Sequence, residues 1–156
     1  MIYLCRHGEA LSSQQDPNRA LSAGGVADVQ RMATFLSNEG AIRPAQVMHS
    51  GVLRAMQTAD ILAETVAPSL TPQKLDGLHP MDPTETMALA IRSWDEPTLL
   101  VGHNPFMEAL TARLLTGDEN GALLAFEPGT IAALAPITQD RSRFALLWFV
   151  TPSLLG

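Results

Sequence analysis

Short apolar runs, each cut off by polar or turn-forming residues, alternate with segments of helical periodicity along the first two thirds of the chain. Residues 1–5 (MIYLC) are continuously apolar and stop abruptly at Arg6-His7-Gly8-Glu9. A run without alternation fits a strand covered on both faces, as in a parallel sheet. Residues 11–19 (LSSQQDPNR) are polar and turn-rich, which predicts a surface loop. After Ser22, a predicted cap, Val26, Val29, Met32, Ala33 and Leu36 recur at helical spacing, and Gly40 closes the helix. Gln46–His49 predicts a second strand, and Leu53–Val66 a second helix ended by Pro68. Residues 71–75 read as a strand or as an extended loop. Asp82-Pro83 predicts the start of a third helix, with proline in its first turn, running to about Trp94. Residues 98–101 (TLLV) form a third apolar run, stopped by Gly102-His103-Asn104-Pro105. A fourth helix follows to about Thr116, with Phe106, Leu110 and Leu114 on one face.

The tail changes character. Residues 123–126, 130–134 and 144–150 are strand-like runs, separated by Pro128-Gly129 and the polar residues 139–142. Strands alternating with helices, then a meander, predict a three-layer α/β/α sandwich with a mixed, mostly parallel central sheet. The 156 residues suit one domain spanning 1–156, for which surface scaling leaves roughly 7,600 Å² exposed. That burial supports a core without disulfides. Charged residues make up 17%, below the ~25% of ordinary soluble domains, which argues against disorder.

Ten basic against sixteen acidic residues give a formal charge of −6, the wrong sign of field for broad nucleic-acid binding. The single cysteine, Cys5, makes no internal disulfide and excludes a cysteine-rich zinc site; it reads as a buried strand residue. No apolar run approaches the ~18 residues of a membrane helix, and the apolar start reads as a strand rather than a leader. The expectation is a monomeric cytoplasmic protein with no cofactor, no metal, and no membrane or nucleic-acid partner.

The polar residues that follow buried strands sit at the carboxyl edge of the sheet, where open α/β folds bind ligands. Two runs end alike, in Arg6-His7-Gly8 and in Gly102-His103-Asn104. A third ends in His49-Ser50-Gly51 and reaches Arg54 on the first turn of a helix. Two histidines and two arginines from three elements can therefore meet in one crevice. Guanidiniums grip phosphoryl oxygens in bidentate fashion and keep their charge at any working pH. A neutral imidazole is a competent nucleophile toward phosphorus. A histidine after a strand is by itself more often structural, and Arg54 alone would read as a solvated helix residue. Their convergence is what points to an anion site. His49 has no partner motif and reads as structural, and the seven methionines read as core filling. Metal-hydrolase chemistry is disfavoured because the four histidines lack i, i+4 pairing.

Arg6-His7-Gly8-Glu9 resembles the RHGE signature of the histidine phosphatase superfamily, the phosphoglycerate mutase-like fold. The stretch from Ser50 to Ala59 is similar to its S-x-x-x-R-A-x-Q-T-A element, and Val101-Gly102-His103-Asn104 to its third. The resemblance implies that His7 is the nucleophile that becomes phosphorylated. It also implies that Arg6, Arg54 and His103 complete a phosphate pocket with no metal, and that Glu9 supports the pocket from behind. The short chain, Arg19-Ala20-Leu21-Ser22 with Gly25, and the Gly-His-Asn-Pro turn are similar to the SixA-type phosphohistidine phosphatases. An uncovered site suits a phosphate carried on a protein. In that subgroup Arg19 would touch phosphate or the partner protein; as a bare residue it reads equally as a solvated loop charge.

One position departs from the family pattern. A glutamate general acid is expected after the second helix, but the stretch reads Lys74-Leu75-Asp76-Gly77-Leu78-His79-Pro80, with Gly77 at that position. Asp76, His79, Asp82 and Glu85 lie nearby without matching. An alkoxide leaving group needs a proton, whereas a phosphohistidine leaves as neutral imidazole, whose conjugate acid has a pKa near ~6.5. The expectation is therefore a phosphatase that cleaves a P–N bond on a histidine-phosphorylated phosphotransfer domain. The alternatives are a small phosphomonoesterase using Asp76 or His79 as acid, and a non-catalytic module that binds phosphoprotein.

Overall fold

The computed structural model describes residues 1–121 and 123–156. Six strands, β1 (Ile2–Arg6), β2 (Gln46–His49), β3 (Gln73–Lys74), β4 (Thr98–Gly102), β5 (Ile131–Pro136) and β6 (Phe144–Val150), form one sheet in the order β3-β2-β4-β1-β5-β6. The first four strands in chain order pair in parallel, β5 runs antiparallel to β1, and β6 runs antiparallel to β5. Four helices, α1 (Ala23–Asn38), α2 (Leu53–Val66), α3 (Thr84–Arg92) and α4 (Phe106–Thr116), complete the three layers. This is a three-layer α/β/α sandwich with a mixed sheet.

Alternation along β1 explains why both faces are covered. Tyr3 and Cys5 pack with Val29, Met32 and Leu36 of α1 and with Ala55, Ala59 and Leu62 of α2. Ile2 and Leu4 pack on the other face with Met87 and Ile91 of α3 and with Met107, Leu110 and Leu114 of α4. A strand buried on both sides must be apolar throughout, which is the continuous run seen in the sequence. The folded surface is 7442 Å², close to what the chain length predicts.

Local signals explain most boundaries and correct several. The Ser22 hydroxyl accepts from the Gly25 N–H at 3.0 Å, so Ser22 caps α1 as expected. Pro83 sits outside α3 at the N-cap with ψ 121°, and the helix ends at Arg92 rather than Trp94. Within residues 71–75 only Gln73–Lys74 pairs as a strand. The expected strand at residues 123–126 does not form. The Phe126 N–H donates to Glu108 Oε1 at 3.0 Å, and its carbonyl accepts from Arg6 Nη1 and Asn104 Nδ2. Side chains take the hydrogen bonds that a neighbouring strand would have needed. A short 3₁₀ turn, Pro152–Leu155, ends the chain; at four residues it has no periodicity to read.

Close approach at Gly25 anchors α1 against the loop that carries His7. A Cβ at Gly25 would lie 2.1 Å from the Glu9 carbonyl oxygen, whereas one at Gly24 meets nothing nearer than 3.4 Å. Gly25→Ala is expected to destabilise the fold by about 2 kcal/mol or more through overpacking. Gly24→Ala is expected to be neutral or to stabilise by up to about 1 kcal/mol through helix propensity. Denaturant unfolding of the two variants side by side checks both signs.

Candidate active site

Strand register brings the site together. Arg6 lies opposite Gly102 and His49 opposite Val101, so the chain leaves β1, β2 and β4 at neighbouring points of one sheet edge. The His7 N–H donates to the Gly102 carbonyl at 3.0 Å and extends the ladder by one bond. His7 and His103 thus emerge side by side, their ring centroids 5.0 Å apart. The Gly8 N–H donates to the Thr58 hydroxyl at 3.0 Å, and that hydroxyl donates to the Arg54 carbonyl at 2.7 Å. One threonine on α2 therefore ties the His7 loop to the helical turn that presents Arg54.

His7 is buried, and its Nδ1 lies 2.7 Å from the Gly8 carbonyl. A carbonyl only accepts, so Nδ1 carries the proton and Nε2 keeps its lone pair. Arg54 Nε points at that lone pair from 3.2 Å. Burial pulls the His7 pKa down to about 4, against the pull of the Gly8 hydrogen bond and with help from Arg54, Arg6 and Arg19. His103 is 1% exposed, and its pKa is lowered to about 3 by burial first, then by His7, Arg54, His79 and Arg19. The Ser50 hydroxyl accepts from the Val52 N–H at 3.3 Å and shares a hydrogen bond with His103 Nε2 at 2.7 Å. Nδ1 of His103 is buried without a hydrogen-bond partner among the described residues.

Both rings are neutral at pH 7, and cations surround them. Arg6 is half-buried, donates from Nη1 to the Phe126 carbonyl at 2.6 Å, and has its Nε buried without a partner. Among the described residues, no carboxylate lies within ion-pair distance of Arg6, Arg19 or Arg54. Glu108 acts on Arg6 only from beyond ion-pair distance, so the gathered like charges remain costly, and a bound anion relieves that cost. The arrangement is chemically suited to an oxyanion, with an unprotonated imidazole nitrogen facing the guanidinium of Arg54.

Arg6, His7, Arg54 and His103 lie together at this sheet edge. Arg19 acts from the loop before α1, where its charge bears on His7, His103 and Arg54. The other candidates make different contacts. Glu9 is exposed and accepts from the Ser22 hydroxyl at 2.9 Å, so it serves the start of α1. The His49 ring accepts from the Gly51 N–H at 3.0 Å, a structural turn. Cys5 is buried, and burial pushes its thiol up, far from a reactive thiolate. Asp76 is 91% exposed and pairs with Lys74 at 3.3 Å. Gly77 has φ +88°, a left-handed conformation that favours glycine over the expected glutamate. The exposed His79 ring stacks on His103, with centroids 6.3 Å apart. Among the described residues, no three His, Cys, Asp or Glu side chains are grouped to hold a metal ion.

Sequence reasoning missed the supports of the site. Glu108 receives both Asn104 Nδ2 and the Phe126 N–H, and Phe126 in turn holds Arg6. Asn104 and Glu108 are only four residues apart, but no local pattern links either to Phe126 or Phe126 to Arg6.

The sequence model of the histidine phosphatase superfamily (branch 1) matches residues 2–86. No curated protein sequence matches the chain significantly. Among solved structures, the protein histidine phosphatase SixA complexed with tungstate superposes with a TM-score of 0.85 at 21% identity, over 99% of each chain. An Agrobacterium tumefaciens protein assigned as a SixA phosphohistidine phosphatase gives 0.77 at 25% identity, over 97% of each. The Entamoeba histolytica phosphoserine phosphatase in complex with 3-phosphoglyceric acid gives 0.73 at 12% identity, over 96% of each. The likeness at such identities is one of fold.

The two depressed histidines couple stability to pH. Below pH ~6.5 the unfolded chain protonates both rings, while the folded protein resists until its own values of about 4 and about 3. Stability is therefore full above the unfolded value and falls as pH drops through that window. Acidification from pH 7 to 5 is expected to lower the unfolding free energy by about 2 to 4 kcal/mol. The His7→Gln, His103→Gln double variant should flatten the profile, which denaturant titrations at the two pH values would check.

Proposed function

The chain belongs to the histidine phosphatase superfamily, and from that premise we propose that it is a protein phosphohistidine phosphatase. The observation that carries the reading is the neutral His7, its Nε2 unprotonated and facing Arg54 Nε, among guanidiniums that no carboxylate of the described residues ion-pairs. In the first step Nε2 of His7 attacks phosphorus. The bond from phosphorus to the substrate nitrogen breaks, its electron pair returning to that nitrogen. Arg6, Arg54, Arg19 and His103, whose Nδ1 is otherwise unpartnered, hold the phosphoryl oxygens as charge develops on them. A water then attacks the phosphorus on His7, the P–Nε2 bond breaks, and phosphate leaves. The cycle uses no metal.

The absent glutamate supports a P–N substrate. Gly77 provides no proton, and Asp76 is held in solvent by Lys74. A phosphohistidine protonated on its far nitrogen departs as neutral imidazole, so it does not need the acid that an alkoxide requires. The partner in this reading is a histidine-phosphorylated phosphotransfer domain in the cytoplasm. A second reading, hydrolysis of a phosphate ester, rests on the His79 ring stacked beside His103, where it can hand a proton to an alkoxide.

Phosphate release from a histidine-phosphorylated phosphotransfer domain, compared with a phosphoserine peptide, separates these readings. The phosphotransfer domain should be the faster substrate, and His7→Ala should abolish release by at least about a thousandfold. Asp76→Asn should stay within about twofold of the native rate, and His79→Ala within a few-fold. A His79→Ala loss of about a hundredfold or more, with the ester preferred, would move the assignment to a phosphomonoesterase. Tight binding without release would instead make the chain a recognition module.

A further inference from the structure

Arg19 belongs to no helix or strand, yet its charge acts on three members of the pocket. Its backbone has φ +50°, a left-handed conformation that a non-glycine residue keeps only when its surroundings impose it. A single residue imposes it here. Asp16 Oδ1 accepts from the Asn18 N–H at 3.0 Å, and Oδ2 accepts from the Ala20 N–H at 2.8 Å. The Asp16 carbonyl accepts from the Arg19 N–H at 3.0 Å. Three consecutive amides, centred on Arg19, are thus all bound to Asp16.

The rest of the loop is tied toward the pocket. Arg19 Nε donates to the Leu11 carbonyl at 3.0 Å, which leaves the two terminal nitrogens of the guanidinium for another acceptor. The Leu11 N–H donates to the Ala20 carbonyl at 2.8 Å, and the Leu21 N–H to Gln57 Oε1 at 2.8 Å. Gln57 lies one turn beyond Arg54 on α2, so the Arg19 loop and the Arg54 turn are held on one frame.

We propose that Asp16 is a positioning residue of the phosphate pocket, whose carboxylate holds the backbone of Arg19 so that its guanidinium forks onto a phosphoryl oxygen beside His7. The proposal rests on the reading that this pocket takes a phosphoryl group. Asp16 touches no substrate. A guanidinium fixed before the ligand arrives loses less freedom on binding, and its planar fork matches an oxyanion only in the right orientation. The two backbone bonds, from Ala20 first and then Asn18, also hold the Asp16 carboxyl below its usual range, so the clamp persists at any pH at which the pocket binds a dianion.

Calorimetric titration with tungstate, a tetrahedral oxyanion, tests this without relying on turnover. Arg19→Ala should weaken tungstate binding about tenfold, and Asp16→Ala about three- to tenfold. The double variant should bind no more weakly than Arg19→Ala alone, because Asp16 acts only through that side chain. Asp16→Asn, which keeps one carbonyl acceptor, should fall between the native protein and Asp16→Ala. Melting temperatures of all four variants, measured in parallel, identify a loss that is merely structural. A lowered melting temperature with unchanged tungstate affinity in Asp16→Ala would overturn the proposal. So would a double variant that loses both factors multiplicatively, or a native protein that binds no tungstate. If the affinities change as expected but no phosphoryl substrate is turned over, the positioning role stands and the phosphatase reading fails.

Discussion

Parallel pairing of β1 with β4 puts Arg6 across from Gly102, and the chain leaves both strands at the same height. Every feature of the pocket follows from that register. One residue further on, the two chains present His7 and His103 as neighbours, joined by the bond from the His7 N–H to the Gly102 carbonyl. A slip by one residue would exchange the side chains that β1 presents to the two helical layers and carry His7 to the other face. The register is protected because β1 is apolar on both sides and packed between two helical layers. The apolar core of the sandwich is thus also the jig that aligns the reactive groups.

Electrostatics inside this jig run opposite to the protein as a whole. The chain carries a net charge of −6, yet Arg6, Arg19 and Arg54 converge on two neutral imidazoles with no carboxylate pairing them. Burial keeps the imidazoles uncharged, and the Gly8 carbonyl fixes the tautomer that leaves Nε2 of His7 available. Local focusing by the guanidiniums has to outweigh the long-range repulsion of a dianion by the acidic surface.

Orientation in the pocket is assigned largely to neutral backbone groups and hydroxyls. Arg6 is steered by the Phe126 carbonyl, His103 by the Ser50 hydroxyl and the His7 loop by Thr58. Such supports aim the cations without cancelling them, which a carboxylate in their place would do. Glu108 acts on Arg6 through its hold on the Phe126 amide and on Asn104. Asp16 spends both carboxylate oxygens on backbone amides in the same manner.

The sequence by itself determined the elements and the chemistry each one carries. Continuous apolar runs marked strands covered on both faces, helical spacing marked α1 and α2, and the polar residues after each strand marked the ligand edge. Those signals are legible because burial and periodicity act over neighbouring residues. The departure from the family pattern at Gly77 was likewise legible, since identity at one position is local information. The tertiary structure alone decided what lies far apart in the chain. It turned residues 123–126 from an expected strand into an irregular strut, because Glu108, Arg6 and Asn104 take the backbone bonds of Phe126. It also decided the stacking of His79 on His103, and the hold of Asp16 on a left-handed Arg19. Side-chain hydrogen bonds to distant or irregular backbone follow no period, so only the folded chain brings their partners together.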